Sequence, residues 1–325
     1  MQTSSPEFKG IIDQNREILR GLLATKVAQA GPRLDRPINA LFWLDEADIM
    51  RAKEQRIDVL MQTSLSEQTS ENKDMFLLRD LSKKKFPIPT LRSIAARLAE
   101  KDFESERKLN VDELTGLFTR RFCIKAMEEL IESYILGGND TAVCFVDIDK
   151  IRVHNDSEGY EFGTGAMQAV AYALQETGNI TGRFYSGDED LVLMPGVTLT
   201  EVAGIMETVR NQGLPKAIER IKADQNPNKK IGQLPISFKY GYTSFSDTLE
   251  YFLENNIDVS ALDYPEMMAK FIDTTLDIVQ TFERLEKARS KNQSIGDVQE
   301  GLKKQFDVKT ESLLKFCTRR KPFYG

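Results

Sequence analysis

Ser186-Gly187-Asp188-Glu189-Asp190 is the stretch on which the fold turns. Gly182-Arg183-Phe184-Tyr185 precedes it and Leu191-Val192-Leu193-Met194-Pro195 follows, so two short apolar runs flank an acidic, glycine-containing turn, the pattern of a β-hairpin. Such a tip points two adjacent carboxylates into one limited space. Gly, Asp and Ser are also common in turns for purely local backbone reasons, so the stretch needs a partner before it means more.

The partner is Thr141-Ala142-Val143-Cys144-Phe145-Val146, an apolar run of buried-strand length that ends abruptly in Asp147-Ile148-Asp149. Asn155-Asp156-Ser157-Glu158-Gly159 and Gly163 come next, then a helical pattern through Ala166, Met167, Val170, Ala171 and Leu174. If this strand lies beside the hairpin, Asp147 meets Asp188 and Glu189. Three carboxylates converging at the open end of a sheet repel one another unless a hard cation sits among them. Mg²⁺ prefers such oxygen ligands together with substrate phosphates, so the set reads as a divalent-metal site for phosphoryl chemistry.

These motifs resemble the GGDEF domain, the module whose active form condenses two GTP into cyclic di-GMP. Asp112-Glu113-Leu114-Thr115-Gly116-Leu117-Phe118-Thr119-Arg120-Arg121-Phe122 resembles the family's D-x-L-T-G-L-x-N-R-R-x-F opening. Asp147-Ile148-Asp149, Asn155-Asp156 and Gly159 follow it, and the hairpin stands in signature position. The resemblance covers roughly residues 107–295 and implies an α+β, ferredoxin-like palm of the nucleotide cyclase kind, with its site at one end of an antiparallel sheet. It implies that Asp147, Asp188 and the Ile148 carbonyl hold Mg²⁺, that Asp188 and Glu189 serve catalysis, and that Asn155 and Thr164 stand where guanine is contacted. Arg289, with Gln293, falls where phosphate is bound. GTP, cyclic di-GMP and a second copy of the chain are the partners it suggests.

Several positions depart from the family. Thr164 stands where the family has an Asp that accepts from guanine, and losing an acceptor for a buried donor costs about 1–3 kcal/mol, roughly tenfold or more in affinity. Lys150 and Ile151 replace paired aromatics. Asp190 replaces the Phe that anchors the hairpin, which calls for a re-oriented tip or a socket opened to water. Gln293 leaves a single positive charge for phosphate. The inhibitory Arg-x-x-Asp falls on Thr177-Gly178-Asn179-Ile180 and is absent. The expectation is a degenerate GGDEF protein of bacterial cyclic di-GMP signalling that works by protein contact or weak nucleotide binding; the alternative is an active diguanylate cyclase with a variant signature.

The remainder sets the context. A chain of 325 residues with 41% hydrophobic and 29% charged residues suits about two ordinary globular domains. Its net charge of -6 argues against a nucleic-acid surface. Cys123, Cys144 and Cys317 are scattered and odd in number, as in a reducing cytoplasm. No run approaches a membrane span and no signal pattern opens the chain, so a cytoplasmic protein is expected. Residues 1–106 read as a helical N-terminal regulatory or interaction region, with a helix from Pro6 to Gly31-Pro32, a second from about Asp45 to Met61, Trp43 among apolar neighbours, a polar loop at 63–74, Lys83-Lys84-Lys85 and a linker helix after Phe86-Pro87-Ile88-Pro89. Residues 107–295 form the GGDEF-like domain, with an insertion near 244–265, and 296–325 a basic, aromatic tail. A protein partner is expected at the N-terminal region or this tail. His154, the sole histidine, reads as a packed side chain rather than a base.

Overall fold

The computed structural model describes residues 6–29, 54, 57–58, 60–62, 87–185, 187–224, 235–291 and 310–320, excepting the side chains of 6–14, 29, 102–108, 154, 158, 224 and 310. Trp43, the segment 63–74, Lys83-Lys84-Lys85, Ser186, Gln293 and the His154 ring, singled out above, lie outside them. The chain forms two compact units, residues 33–111 in one and residues 1–32 with 112–325 in the other. Helix α1 (Pro6–Gln29) therefore folds with the larger unit, although its place in the sequence groups it with the N-terminal region. It buries Leu19, Leu23 and Val27, and its Arg20 donates from Nε to the Tyr134 carbonyl at 2.7 Å.

In the smaller unit, helix α2 (Ile88–Asn110) repeats Leu91, Ala95 and Ala99 at four-residue spacing, which puts them on one stripe against Ile57, Leu60 and Met61. On its exposed side Arg92 pairs with Glu54 at 2.7 Å and Asp58 at 3.1 Å.

The larger unit continues with β1 (Phe118–Thr119), α3 (Arg120–Ile135), β2 (Thr141–Ile148), α4 (Ile151–Glu158), α5 (Tyr160–Gln175), β3 (Ile180–Arg183) and β4 (Glu189–Pro195). After these come α6 (Leu199–Thr208), a π-helical turn Val209–Gly213, α7 (Leu214–Asp224), β5 (Phe238–Ser244), α8 (Phe245–Glu254), a 3₁₀ turn Val259–Ala261, α9 (Tyr264–Ser290) and α10 (Thr310–Arg319). The strands form one sheet in the order β1-β3-β4-β2-β5, antiparallel except for the short β1–β3 pair. This is the α+β arrangement expected. The last strand runs over Phe238–Ser244, because Phe238, Tyr240 and Tyr242 keep alternating onto the same face past Gly241.

Every residue of β2 is buried, since helices cover both faces of the sheet. Ala142, Cys144, Val146 and Ile148 face a layer built on Phe162, Ala166 and Val170 of α5 and Val202 and Met206 of α6. The alternate residues, ending in Asp147, face α9, which crosses β2 and β5. Gly241 allows that crossing: a Cβ there would stand 2.2 Å from the Glu283 nitrogen and 2.5 Å from the Val279 carbonyl oxygen.

The insertion near 244–265 becomes α8 and the 3₁₀ turn. Ser244 caps α8 by accepting from the Asp247 N–H at 3.3 Å. The tail supplies α10, which buries Leu313, Leu314, Phe316 and Cys317. Arg320, just past α10, forms ion pairs with Asp247 and Glu250 of α8, and Arg319 pairs with Glu254. The tail's described part is thus spent on an internal contact. No helix among the described residues is long and apolar enough to cross a membrane.

Candidate functional site

β2 and β4 pair so that Asp147 stands opposite Glu189 and Val146 opposite Asp190. One step beyond, the Ile148 N–H donates to the Asp188 carbonyl at 3.0 Å. The acid that closes the buried strand and the acids of the hairpin therefore share one end of the sheet, and Asp147, Ile148, Asp188 and Glu189 are brought together. Asp149 turns aside, accepting from the Ser237 hydroxyl at 2.8 Å. Lys150 follows with φ of 57°, a left-handed conformation that releases the chain from the strand into α4.

Helix α9 brings three more charges to this corner. Lys287 Nζ lies 2.6 Å from Asp147 Oδ2 and 3.1 Å from Glu283 Oε1. Arg284 feels the carboxylates of Glu283, Glu189 and Asp147. Burial raises the Asp147 carboxyl above its ordinary range, although Lys287 pulls it back. Glu189 is also raised by burial, with Asp147 and Asp188 adding repulsion. Burial pushes Glu283 up to about 7 against the attraction of Lys287. Burial alone would lower Lys287, but Glu283 and Asp147 outweigh it and hold the ammonium above its usual range.

A second cluster lies on α4 and α5. Gly163 is pressed against the Asn155 side chain so closely that a Cβ would come within 1.9 Å of Oδ1. Asn155 Oδ1 is buried and has no hydrogen-bond partner among the described residues. Thr164, the next residue of α5, is half-buried. The Asp112 turn is fixed locally: Asp112 Oδ1 accepts from the Thr115 N–H at 3.0 Å and its hydroxyl at 2.8 Å, and Arg183 of β3 pairs with Asp112 at 3.2 Å. Burial opposes ionisation there, yet Thr115 and Arg183 together hold the Asp112 carboxyl below its usual range.

The profile described as "Diguanylate cyclase, GGDEF domain" matches residues 109–250. The chain contains a GGDEF domain. It is 30% identical to the response regulator PleD of Caulobacter vibrioides over 103 residues, which cover 30% of this chain and 22% of that protein. With the probable diguanylate cyclase DgcC of Escherichia coli it shares 28% identity over 148 residues, covering 41% of this chain and 40% of that one. The matched segments thus span less than half the length of these relatives. Among solved structures, the coiled coil and GGDEF domain of DgcB from Caulobacter crescentus in complex with c-di-GMP gives 17% identity and a TM-score of 0.41, over 56% of this chain and 95% of that chain. The diguanylate cyclase SiaD in complex with its activator SiaC, from Pseudomonas aeruginosa, gives 19% and 0.37 over 74% and 80%.

In this GGDEF domain one sequence expectation is revised. Asp190 neither opens its socket to water nor leaves the sheet: it stays paired in the ladder opposite Val146 and Arg183 and is 4% exposed. Burial pushes its carboxyl up to about 7, Arg183 drawing it down only in part, so the protonated acid is the form that the apolar surroundings tolerate. Arg289 is half-exposed and pairs with Glu286 at 3.8 Å, whereas Lys287, two residues earlier, reaches the acidic corner. Sequence reasoning missed Lys287 and Glu283. Their spacing of four on a helix marks an ion pair, but nothing in it points to Asp147.

The oxygen donors at this corner are of the chemical type that Mg²⁺ takes. As folded they do not fit it, because the ammonium of Lys287 occupies Asp147 Oδ2, and among the described residues no three Asp, Glu, His or Cys side chains are grouped to hold a metal ion.

Proposed function

We propose that the protein is a degenerate, non-catalytic GGDEF-domain protein of bacterial cyclic di-GMP signalling, acting in the cytoplasm through contact with a protein partner and weak binding of GTP or cyclic di-GMP. The observation that carries this is Asn155, packed against Gly163 with its buried Oδ1 unpartnered among the described residues, followed in α5 by Thr164. Asn155 offers an amide and Thr164 a hydroxyl where, by the family resemblance, guanine recognition calls for a carboxylate. A guanine bound there keeps a buried donor unpaired, which costs about 1–3 kcal/mol.

Purified protein incubated with GTP and Mg²⁺ is expected to yield no cyclic di-GMP. Turnover that disappears in Asp188→Ala overturns the proposal. Calorimetric titration with GTP is expected to show weak binding, strengthened roughly tenfold in Thr164→Asp.

The register of Asp147 against Glu189 and the Ile148–Asp188 hydrogen bond favour a second reading, an active diguanylate cyclase. It assigns catalysis to Asp188 and Glu189, Mg²⁺ to Asp147, Ile148 and Asp188, phosphate to Arg289, and requires a second GTP-loaded copy in a homodimer. The SiaD–SiaC complex makes an activator protein a reasonable class of partner, and the N-terminal region is where we place it. Nucleic acid and membrane insertion have no part in either reading.

A further inference from the structure

We infer that Lys287 is the resident cation of the acidic corner, standing on the Asp147 oxygen that a divalent ion would need, so that binding of a bare metal requires its displacement. The ammonium touches both carboxylates, at 2.6 and 3.1 Å. A hard divalent ion on Asp147 Oδ2 needs an approach of about 2.0–2.1 Å for Mg²⁺, and the space between the two oxygens does not hold both cations. Charge leads to the same result. Lys287 and Arg284, on one turn of α9, attract Asp147, Glu189 and Glu283, so the chain itself already offsets part of the repulsion that a metal would relieve.

The position of Lys287 is built in rather than incidental. α9 is held onto β5 by the close approach at Gly241, and Lys287 lies one helical turn beyond Glu283, whose backbone nitrogen makes that approach. Its side chain is 28% exposed, and that of Asp147 12%.

The test uses Mn²⁺ alone, without nucleotide, as a paramagnetic substitute for Mg²⁺ at oxygen sites. Titrated into the full-length protein and followed by the free-ion resonance signal, Mn²⁺ is expected to remain unbound at micromolar concentrations. In Lys287→Met it should bind stoichiometrically, with affinity raised roughly tenfold or more. Because Lys287→Met leaves buried acids uncompensated, its melting temperature is read as well: it should fall without metal and recover with Mn²⁺. The double variant Asp147→Asn/Lys287→Met should lose both the gain in binding and the recovery. Tight binding by the wild type, no gain in Lys287→Met, or a gain that persists in the double variant overturns the inference.

Discussion

Asp190 is a buried acid whose protonated form the fold prefers, and this gives stability a definite pH dependence. Its carboxyl moves from 3.8 to about 7 on folding. Below about pH 4 it is protonated in both states and costs nothing; as pH rises toward 7 the unfolded chain ionises first, and stability is lost through that window. Glu283, also raised to about 7, acts in the same direction. Asp190→Asn is therefore expected to melt close to the wild type at pH 4 and to be about 1–3 kcal/mol more stable at pH 8, short of the roughly 4 kcal/mol that three units imply because Arg183 loses a counter-charge. Thermal unfolding at the two pH values checks this; an equal shift at both removes the titration argument. The sequence marked Asp190 as anomalous but not how it is tolerated, because burial and the opposing Arg183 come from strand pairing. Asp147, Asp188 and Glu189 were legible because acids ending an apolar run and tipping a hairpin have only one shared end to occupy. Lys287 was not, since its partner lies 140 residues away with no local spacing to announce it.

At the scale of elements, α9 joins the sheet to α10 at the C-terminal end of the larger unit, and two contacts bear on how firmly. The first is the crossing at Gly241. Alanine there drives a methyl into the Glu283 and Val279 backbone, so Gly241→Ala is expected to cost about 1–3 kcal/mol or more and to lift Lys287 from Asp147, read by urea unfolding together with Mn²⁺ binding. The second is the C-terminal clamp. Arg320, 18% exposed, faces Asp247 and Glu250, and Asp247 is buried and already raised by that burial despite Arg320. Arg320→Ala strands a buried carboxylate and should cost about 2–4 kcal/mol, while Arg319→Ala, at a side chain 52% exposed, should cost under about 1 kcal/mol. Comparable losses in the two variants contradict this account. Element types were legible from period and helix starts, as where Pro6 opens α1. What α8 does was not, because the acids it offers acquire meaning only when Arg320 arrives from the far end of the chain.

At the scale of the molecule, the division into units differs from what linear order suggests. The family resemblance placed one boundary near residue 106, but an amphipathic helix does not name its partner, and α1 folds across some eighty residues onto the unit containing 112–325. There it lies against α3 and α8, with Leu23 fully buried, Leu19 and Val27 nearly so, and Arg20 set over the Tyr134 ring at 4.5 Å. Each fully buried aliphatic side chain contributes about 1.5–3 kcal/mol, so α1 supplies on the order of 5 kcal/mol, comparable with the whole stability of a marginal domain. A chain lacking residues 1–32 should then unfold at much lower urea, and the loss should be confined to the larger unit. Hydrogen exchange resolved by peptide separates the cases: protection across β2, β4 and α9 is expected to collapse, while protection in α2 stays near its full-length value, because α2 belongs to the other unit. If the truncated chain protects β2 and β4 as the full chain does, α1 is a dispensable appendage and the boundary read from sequence is the physical one.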